Sequence, residues 1–485
     1  MSPARTAFRF IGILVSIVAV FLVVPLVVAL IENEVAARNA FLITIAAAAV
    51  IGGVFSIVFR SRVSDSVRPR DGFLLVASAW VIVAAVGAVP FVLSGTIPRY
   101  VDAFFESMSG FTTTGASILS EIESLPRSIL MWRSLTHWLG GMGIIVLTVA
   151  VFPVFGRGGL QLLRAEVPGP SLDKITPKLA ETAKIFWLIY VGMTVAQTAL
   201  LMVGGMDLFD SLTHTFGTLA TGGFSPRNAS VGYYNSAFID IVITVFMIMA
   251  GTNFVLYHRA LTGRVRAIGR NTEFKVYLAV FGVAAVAIAL SLFTSGTYQT
   301  VGESLRYAGF QSASILTTTG YATADFDLWP AFARAVLFLL MFVGGCAGST
   351  GGGIKVVRHV TLIKQAIAEM RVFLHPRSVS HIRLNDNVVR KEVVFTKLGF
   401  IVLYLGMVML TFLVVSTAGL DLTSAFTTAL VTVGNIGPGF GAIGPTMNYG
   451  SFPDYVKWFL CFSMMTGRLE VYTVLILFHP RFWRS

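Results

Sequence analysis

The sequence predicts an all-α polytopic membrane protein: ten transmembrane helices with four re-entrant pore loops, arranged as pseudo-fourfold repeats around one pore. Three observations carry this. The 485 residues are 55% hydrophobic and only 12% charged, with a mean hydropathy of +0.78, whereas soluble globular chains are about 25% charged. Apolar runs recur along the chain at the length of about 20 residues that a helix needs to cross a bilayer. Four shorter, semi-apolar segments each close in a glycine turn. A β-barrel is excluded, since its strands would give short alternating patterns in place of solid apolar runs.

In chain order the runs predict spans at 8–31, 39–59, 72–95, 129–155, 183–205, 236–258, 275–294, 330–373 (interrupted), 393–418 and 454–478. The opening MSPARTAFRF resembles a signal peptide. The apolar run behind it is too long, and no small-residue cleavage site follows, so a retained first helix is expected. An even number of spans puts both termini on one side, and the basic residues say which. Arg5 and Arg9 precede the first span; Arg60, Arg62, Arg68 and Arg70 follow the second. Later alternate loops carry Arg157, Arg164, Lys174, Lys178 and Lys184, then Arg259, Arg264, Arg266, Arg270 and Lys275, then Arg371, Arg377, Arg383, Arg390 and Lys391. The loops between them carry Glu121, Glu123, Asp207, Asp210, Asp325, Asp327 and Asp454. This asymmetry predicts cytoplasmic termini. It also accounts for the net charge of +12, so membrane lipid is the expected surround and nucleic acid is not an expected partner. Cys346 and Cys461 both fall at membrane depth without metal or disulfide spacing and read as small buried hydrophobes.

The four glycine-turn segments are DAFFESMSGFTTTGAS (102–117), DSLTHTFGTLATGGFS (210–225), RYAGFQSASILTTTGYA (306–322) and LTSAFTTALVTVGNIGPG (422–439). Gly115, Gly222, Gly320 and Gly437 can be set in register, with Thr114, Thr221 and Thr319 before the first three. A repeat of roughly 100–120 residues defines the architecture: two extra N-terminal helices over 1–70, then units of span, pore loop and span at 71–165, 166–270, 271–391 and 392–485. Re-entrant backbone at membrane depth needs protein or a watery cavity around it, and four such turns can line one central pore.

An ion crossing there must exchange its hydration shell for other oxygens, which rings of backbone carbonyls supply. Glycine provides the unusual backbone angles that this requires. The candidate filter is Thr113, Thr114 and Gly115; Ala220, Thr221 and Gly222; Thr318, Thr319 and Gly320; and Asn435, Ile436 and Gly437. None of the four turns contains Asp or Glu, which argues against a divalent-cation site and for a dehydrated monovalent ion. The competing reading is that such turns merely cap short helices; recurrence at four equivalent places favours the pore.

Together TTTGAS, ATGGFS, TTTGYATADF and VGNIGPGFG resemble the Trk/Ktr/HKT superfamily of potassium transporters. The two extra N-terminal helices look like its TrkH-type branch, and the resemblance covers essentially the whole chain. It implies a K+-channel-like fold, a homodimer, potassium as the transported ion, and a cytosolic, nucleotide-binding TrkA-like ring that acts on the gate. In plant relatives that prefer sodium, serine replaces the first filter glycine; position 115 here is Gly, so potassium is expected, with rubidium as its surrogate. The fourth turn departs from the others, with Ile436 in the threonine place and Asn435 before it.

Within the eighth span stands GGCAGSTGGGIK (344–355). It is not a phosphate-binding loop, because Ile354 separates Gly353 from Lys355, and Ser or Thr does not follow the lysine. Gly344, Gly345, Gly348, Gly351, Gly352 and Gly353, with Ser349 and Thr350, instead predict helix failure, since each glycine costs about 1 kcal/mol against alanine. Two readings follow: a gate below the filter, as the resemblance implies for this loop, or a static kink that lets helices approach closely. The gate is favoured.

Arg468 and Glu470 lie inside the last span, where ionisable groups are functional by default. The resemblance puts Arg468 below the filter, facing the loop; a structural pairing is the alternative, and it is the favoured reading for Glu470. Lys355 and Arg358 read equally as residues of the cytoplasmic mouth or as basic anchors. His137 and His214 read as hydrogen-bonded bundle residues. Neither a catalytic constellation nor an organic-cofactor site is visible, so an enzyme is not expected. The sequence thus predicts a potassium-translocating subunit of the bacterial cytoplasmic membrane, working as a gated, channel-like uptake pathway, with a proton- or sodium-coupled symporter as the alternative. The basic loops near 259–275 and 371–391 are the candidate docking sites for the ring.

Overall fold

The computed structural model describes residues 3–59, 69–143, 179–376, 382–385, 387–389 and 391–483. The predicted basic residues Arg60, Arg62, Arg68, Arg157, Arg164, Lys174, Lys178, Arg377 and Arg390 lie outside them, as does the second half of the fourth predicted span.

The chain opens with α1 (Pro3–Phe21), α2 (Val23–Ile31) and α3 (Val35–Val58). Gly12 and Gly52 bring α1 against α3 so closely that a methyl group on either would collide with the other helix, the small-residue packing that lipid-surrounded helices use. This hairpin packs along the helix of residues 69–93, and its tip reaches the helix that starts at Arg127. Glu34 accepts hydrogen bonds from the amides of Arg127 (2.6 Å) and Ser128 (3.2 Å). It thereby caps from outside the helix whose own N-terminal residue, Pro126, offers no side-chain cap.

Next come α4 (Pro69–Leu93), the buried short helix α5 (Tyr100–Phe111) and α6 (Arg127–Trp138), which runs into a π-helical turn at Leu139–Gly143. The second set is α7 (Leu179–Val203), the short α8 (Leu208–Leu219), α9 (Ala237–Ala250), α10 (Phe254–Leu261) and α11 (Arg266–Arg270). The third is α12 (Thr272–Thr294), the short α13 (Val301–Leu316), α14 (Ala331–Leu340) and α15 (Val356–Leu374). A two-residue antiparallel ribbon, β1 (Arg383–Leu384) with β2 (Asn387–Val388), leads to α16 (Lys391–Ser416), the short α17 (Leu422–Gly434), α18 (Asp454–Arg468) and α19 (Glu470–Leu475).

Among the described residues, six helices are long and apolar enough to cross a membrane, and eight elements qualify when each of two bent pairs is taken as one span. Two spans expected to be continuous are therefore broken. The helix predicted at 236–258 bends by 96° between α9 and α10, where Gly251 and Thr252 interrupt it and the Asn253 side chain caps the new helix through the Val255 amide (2.9 Å). The last span bends by 114° after Arg468, with Glu470 in the left-handed region at φ 59°. The interruption expected near 344–355 is present, between the end of α14 and the start of α15.

The short helices α5, α8, α13 and α17 each stop just before a glycine turn, and local capping fixes where three of them begin. Asp207 accepts from the Asp210 amide, Thr300 from that of Glu303, and Asp421 from those of Thr423 and Ser424. Each then runs inward through largely buried residues.

Candidate functional site

The four turns share one backbone solution. Thr113, Thr221, Thr318 and Asn435 all sit at positive φ (51°, 56°, 60° and 55°), and two residues on Gly115, Gly223, Gly320 and Gly437 do the same (78°, 82°, 82° and 96°). Threonine is β-branched and is an outlier in this region, so three of the four turns hold backbone strain. Asparagine tolerates the conformation, which accounts for Asn435 in the turn that departs from the others.

This geometry corrects the register of the second turn. Its middle residue is Gly222, and Gly223, not Gly222, is equivalent to Gly115. The same pattern of amide bonds back to the short helices says so: Thr114 to Ser109, Gly222 to Gly217, Thr319 to Ser314 and Ile436 to Val431, at 2.8–2.9 Å. Ala220 is then the last residue of the helical turn, and Thr221 matches Thr113 instead of Thr114. The double glycine hid the shift; the aromatic that follows the glycine in Gly223-Phe224 and Gly320-Tyr321 was the signal that could have found it.

Set in this register the turns close a ring. A methyl group on Gly115 would collide with the carbonyl of Gly222, one on Gly223 with that of Thr319, one on Gly320 with that of Ile436, and one on Gly437 with that of Thr114. Only glycine lets four backbones approach in this way. All four of these glycines line a cavity of about 120 Å³ on one side of the ring.

Behind the ring stands a set of polar braces, of which only His214 stood out in the sequence, as a hydrogen-bonded bundle residue. The residue nine places before each turn glycine is Glu106, His214, Gln311 and Thr428, and the first three reach the chain leaving the turn. Glu106 accepts from Ser117 (3.0 Å) and from the Ile118 amide (3.0 Å). His214 meets Ser225 at 3.0 Å. The Gln311 amide, oriented so that both ends are satisfied, donates to the Tyr321 carbonyl and accepts from Thr323. In the fourth turn Thr427 takes this part, bonding the Phe440 backbone. Glu106 is fully buried and pairs with buried Arg133 at 2.5 Å. Arg133 in turn donates to the Ser225 carbonyl (2.8 Å) and lies 3.7 Å over the Phe224 ring, so one ion pair ties the first turn to the second.

On the other side of the ring lies the glycine loop, residues 344–355, folded on itself and fastened to the α9–α10 bend, the end of α8 and the third turn. Gly344 donates to Ile354 (2.9 Å), closing the loop at its neck. Cys346 donates to Gly251 (2.8 Å), and Phe254 donates to Gly348 (3.0 Å), at the bend between α9 and α10. The Thr350 hydroxyl donates to Leu219 (2.9 Å), and the Gly352 amide donates to the Thr318 hydroxyl (2.7 Å), within the third turn itself. A side chain on Gly344 or Gly352 would strike backbone, so the glycines serve close packing as well as helix failure.

Arg468 ends α18 against this loop. Its guanidinium donates to the Thr350 carbonyl (2.7 Å) and to the Gly140 carbonyl (2.8 Å) on the π-helical turn of the first unit. A small cavity of about 30 Å³ is lined by Gly351, Gly352, Lys355, Arg468 and Glu470, among others; it has room for about two waters. Glu470 pairs with Arg358 at 2.5 Å, the pairing expected for it, and Arg358 stacks 3.6 Å over Phe400. Lys355 is buried and donates to the Gly351 carbonyl. Neither Lys355 nor Arg358 is a surface anchor, because both turn inward to loop and helix partners. His214 also meets the Asp210 carbonyl (2.7 Å), while His137 stacks on Phe224 and accepts from its amide. Cys346 and Cys461 are free and buried.

Re-entrant helices closing a ring of four turns, with a fastened loop beneath it, are the build of a membrane transport protein. A family model for TrkH, described as a cation transport protein, matches residues 37–485. The chain is 40% identical over 484 residues to the "Trk system potassium uptake protein TrkH" of Escherichia coli strain K12, covering 99% of each chain. It is 33% identical over 487 residues to the "Trk system potassium uptake protein TrkG" of the same organism, covering 100% of this chain and 99% of the other. The crystal structure of the potassium transporter TrkH from Vibrio parahaemolyticus matches with a TM-score of 0.89 at 35% identity, covering 100% of both chains. The chain belongs to the TrkH family of cation transport proteins.

Proposed function

We propose that this chain is the potassium-selective translocating subunit of a Trk-type uptake system and works as a gated channel. The observation that carries the proposal is the closed ring of four turns, each with a left-handed glycine packed against the next turn's carbonyl. Backbone carbonyls of Thr113–Gly115, Thr221–Gly223, Thr318–Gly320 and Asn435–Gly437 replace the hydration shell of one dehydrated ion. The four short helices end at the ring, so the negative ends of their dipoles favour a cation there without any carboxylate. Potassium is the ion named for the relatives in both kinds of comparison, and Gly115 stands where sodium-preferring relatives carry serine.

The loop 344–355 is the gate. It lies directly against the ring through Thr318 and Gly352, and it must shift for an ion to pass. Arg468 holds it and places a positive charge below the ring, which discourages idle cation occupancy. The chain sits in the bacterial cytoplasmic membrane with both termini inside, where a negative potential favours uptake by about 2.3 kcal/mol per charge per 100 mV. It assembles as a homodimer, and the basic segments near 259–275 and 371–391 dock a cytosolic, nucleotide-binding TrkA-like ring that acts on the gate. Rubidium uptake into vesicles holding purified protein tests this reading, with an imposed potential and without a pH gradient. Saturable uptake, competed by potassium and indifferent to pH, supports it; absolute dependence on a proton gradient would favour the symporter and overturn it.

A further inference from the structure

We propose that Glu273 is the positioning residue of the glycine loop, a latch that clasps the loop at Ala347 and the start of the following helix at Val357 and connects them to the ribbon of β1 and β2. The proposal rests on the reading of that loop as a gate for its consequence, though not for its geometry. Glu273 lies in the first turn of α12 and is buried, 7% exposed. One carboxylate oxygen accepts from the Ala347 amide at 2.7 Å and from the Val357 amide at 3.1 Å. These two amides are ten residues apart in the chain: the first is inside the loop and the second is in the opening turn of α15. Val357 is among the helix-start donors that lack an intrahelical partner. Lys355, the N-cap residue of α15, makes no capping bond through its side chain. Glu273 supplies that cap from another helix and uses the same atom to hold the loop.

The position of Glu273 is set in turn from the surface. The α12 start is capped twice: Asn271 accepts from the Phe274 amide (2.9 Å), and Asn385, in the ribbon turn, accepts from the Thr272 amide (2.7 Å). Asn385 holds the left-handed conformation (φ 47°) and is exposed. Ile382, at the start of the ribbon, packs with Ala368 of α15 and Val394 of α16. A displacement of the ribbon therefore reaches the loop in two steps, Asn385 to Thr272 and Glu273 to Ala347. A ligand that moves the ribbon thus has a hydrogen-bonded route to the loop and, through Gly352 and Thr318, to the ring.

Cys346, next to Ala347, reports on the latch without reference to ion flux. It is 1% exposed, so a small thiol reagent modifies it only when the loop loosens. With Cys461→Ala as background in the full-length protein, the labelling rate of Cys346 and rubidium uptake are measured together. Glu273→Ala should label at least about tenfold faster, since a charged acceptor of two hydrogen bonds is lost. Glu273→Gln keeps an acceptor oxygen but loses its charge, and should label at a rate between the parent and Glu273→Ala. Glu273→Asp, shorter by one methylene, should fall between them and covers the case in which Glu273→Ala fails to assemble. Asn385→Ala should raise labelling by a few fold. Parent-like labelling in Glu273→Ala, or in Glu273→Asp when the alanine variant does not assemble, would overturn the latch. Faster labelling with unchanged uptake would keep the latch and overturn the reading of the loop as a gate.

Discussion

The Arg468 guanidinium donates to the Thr350 carbonyl at 2.7 Å while its second nitrogen donates to Gly140 at 2.8 Å. One side chain at the end of α18 thus fastens the loop 344–355 to the π-helical turn after α6. A hydrogen bond from a charged donor contributes about 1.5–3 kcal/mol, which is about ten- to a hundredfold in the balance between fastened and released loop.

Removing that tether should favour release. Arg468→Ala is expected to raise unstimulated rubidium uptake by about tenfold or more, and Arg468→Lys, which cannot bridge two carbonyl sites in the same way, by less. Uptake assays on matched amounts of assembled protein check this; unchanged uptake in both variants would remove Arg468 from the holding of the loop.

The ring makes a prediction about two neighbouring glycines. Gly223→Ser should reproduce the loosened sodium discrimination expected of Gly115→Ser, because both positions are equivalent in φ and in the carbonyl they face. Gly222→Ser should instead collide with the His137 ring and lower the yield of assembled protein, with His137→Ala restoring part of it. Potassium–sodium competition and size-exclusion profiles separate the two outcomes.

Much of this was legible in the sequence and some was not. The four turns stand out because glycine recurs at intervals after capped apolar segments, and the loop because six glycines cannot continue a helix. The register of the second turn was not legible, since two glycines stand side by side in the chain, and only the structure shows Gly223 at positive φ against the Thr319 carbonyl while Gly222 faces the His137 ring. The bends after Ala250 and Arg468 were missed because apolar composition runs through them; hydropathy records depth, not direction. Glu106, Arg133 and Glu273 were invisible for another reason. Their partners lie in other elements, and a lone buried charge has no periodic signature.

The buried Glu106–Arg133 pair should be costly to break and cheap to replace. Glu106→Ala leaves the guanidinium buried without its carboxylate, at a cost of about 3–5 kcal/mol. Glu106→Ala with Arg133→Met removes both charges and should recover a large part of that. Thermal unfolding in detergent reads the stabilities, and the potassium–sodium ratio of the double variant reads whether the tie between the first two turns also sets selectivity.

Asp421, in the exposed connection before α17, gives a pH prediction. Hydrogen bonds from the Ser424 side chain and amide, then from the Thr423 amide, hold its carboxylate below its ordinary range. A lowered folded-state value means stabilisation that is present above the unfolded value of about 3.9 and is lost as pH falls through the folded value. Asp421→Ala should therefore destabilise by about 1 kcal/mol at neutral pH, with the difference closing in strong acid. Unfolding midpoints of the two proteins from pH 7 to pH 3 check the sign.

The proposed function requires that one dehydrated potassium ion be held by the backbone of the four turns. Anomalous diffraction from crystals grown in rubidium locates the ion directly. An anomalous peak is expected on the axis of the ring, within coordination distance of carbonyls from Thr114, Gly222, Thr319 and Ile436 or their turn neighbours, together with its loss when sodium replaces rubidium. A ring without a peak, with rubidium held instead at side-chain carboxylates, would contradict it.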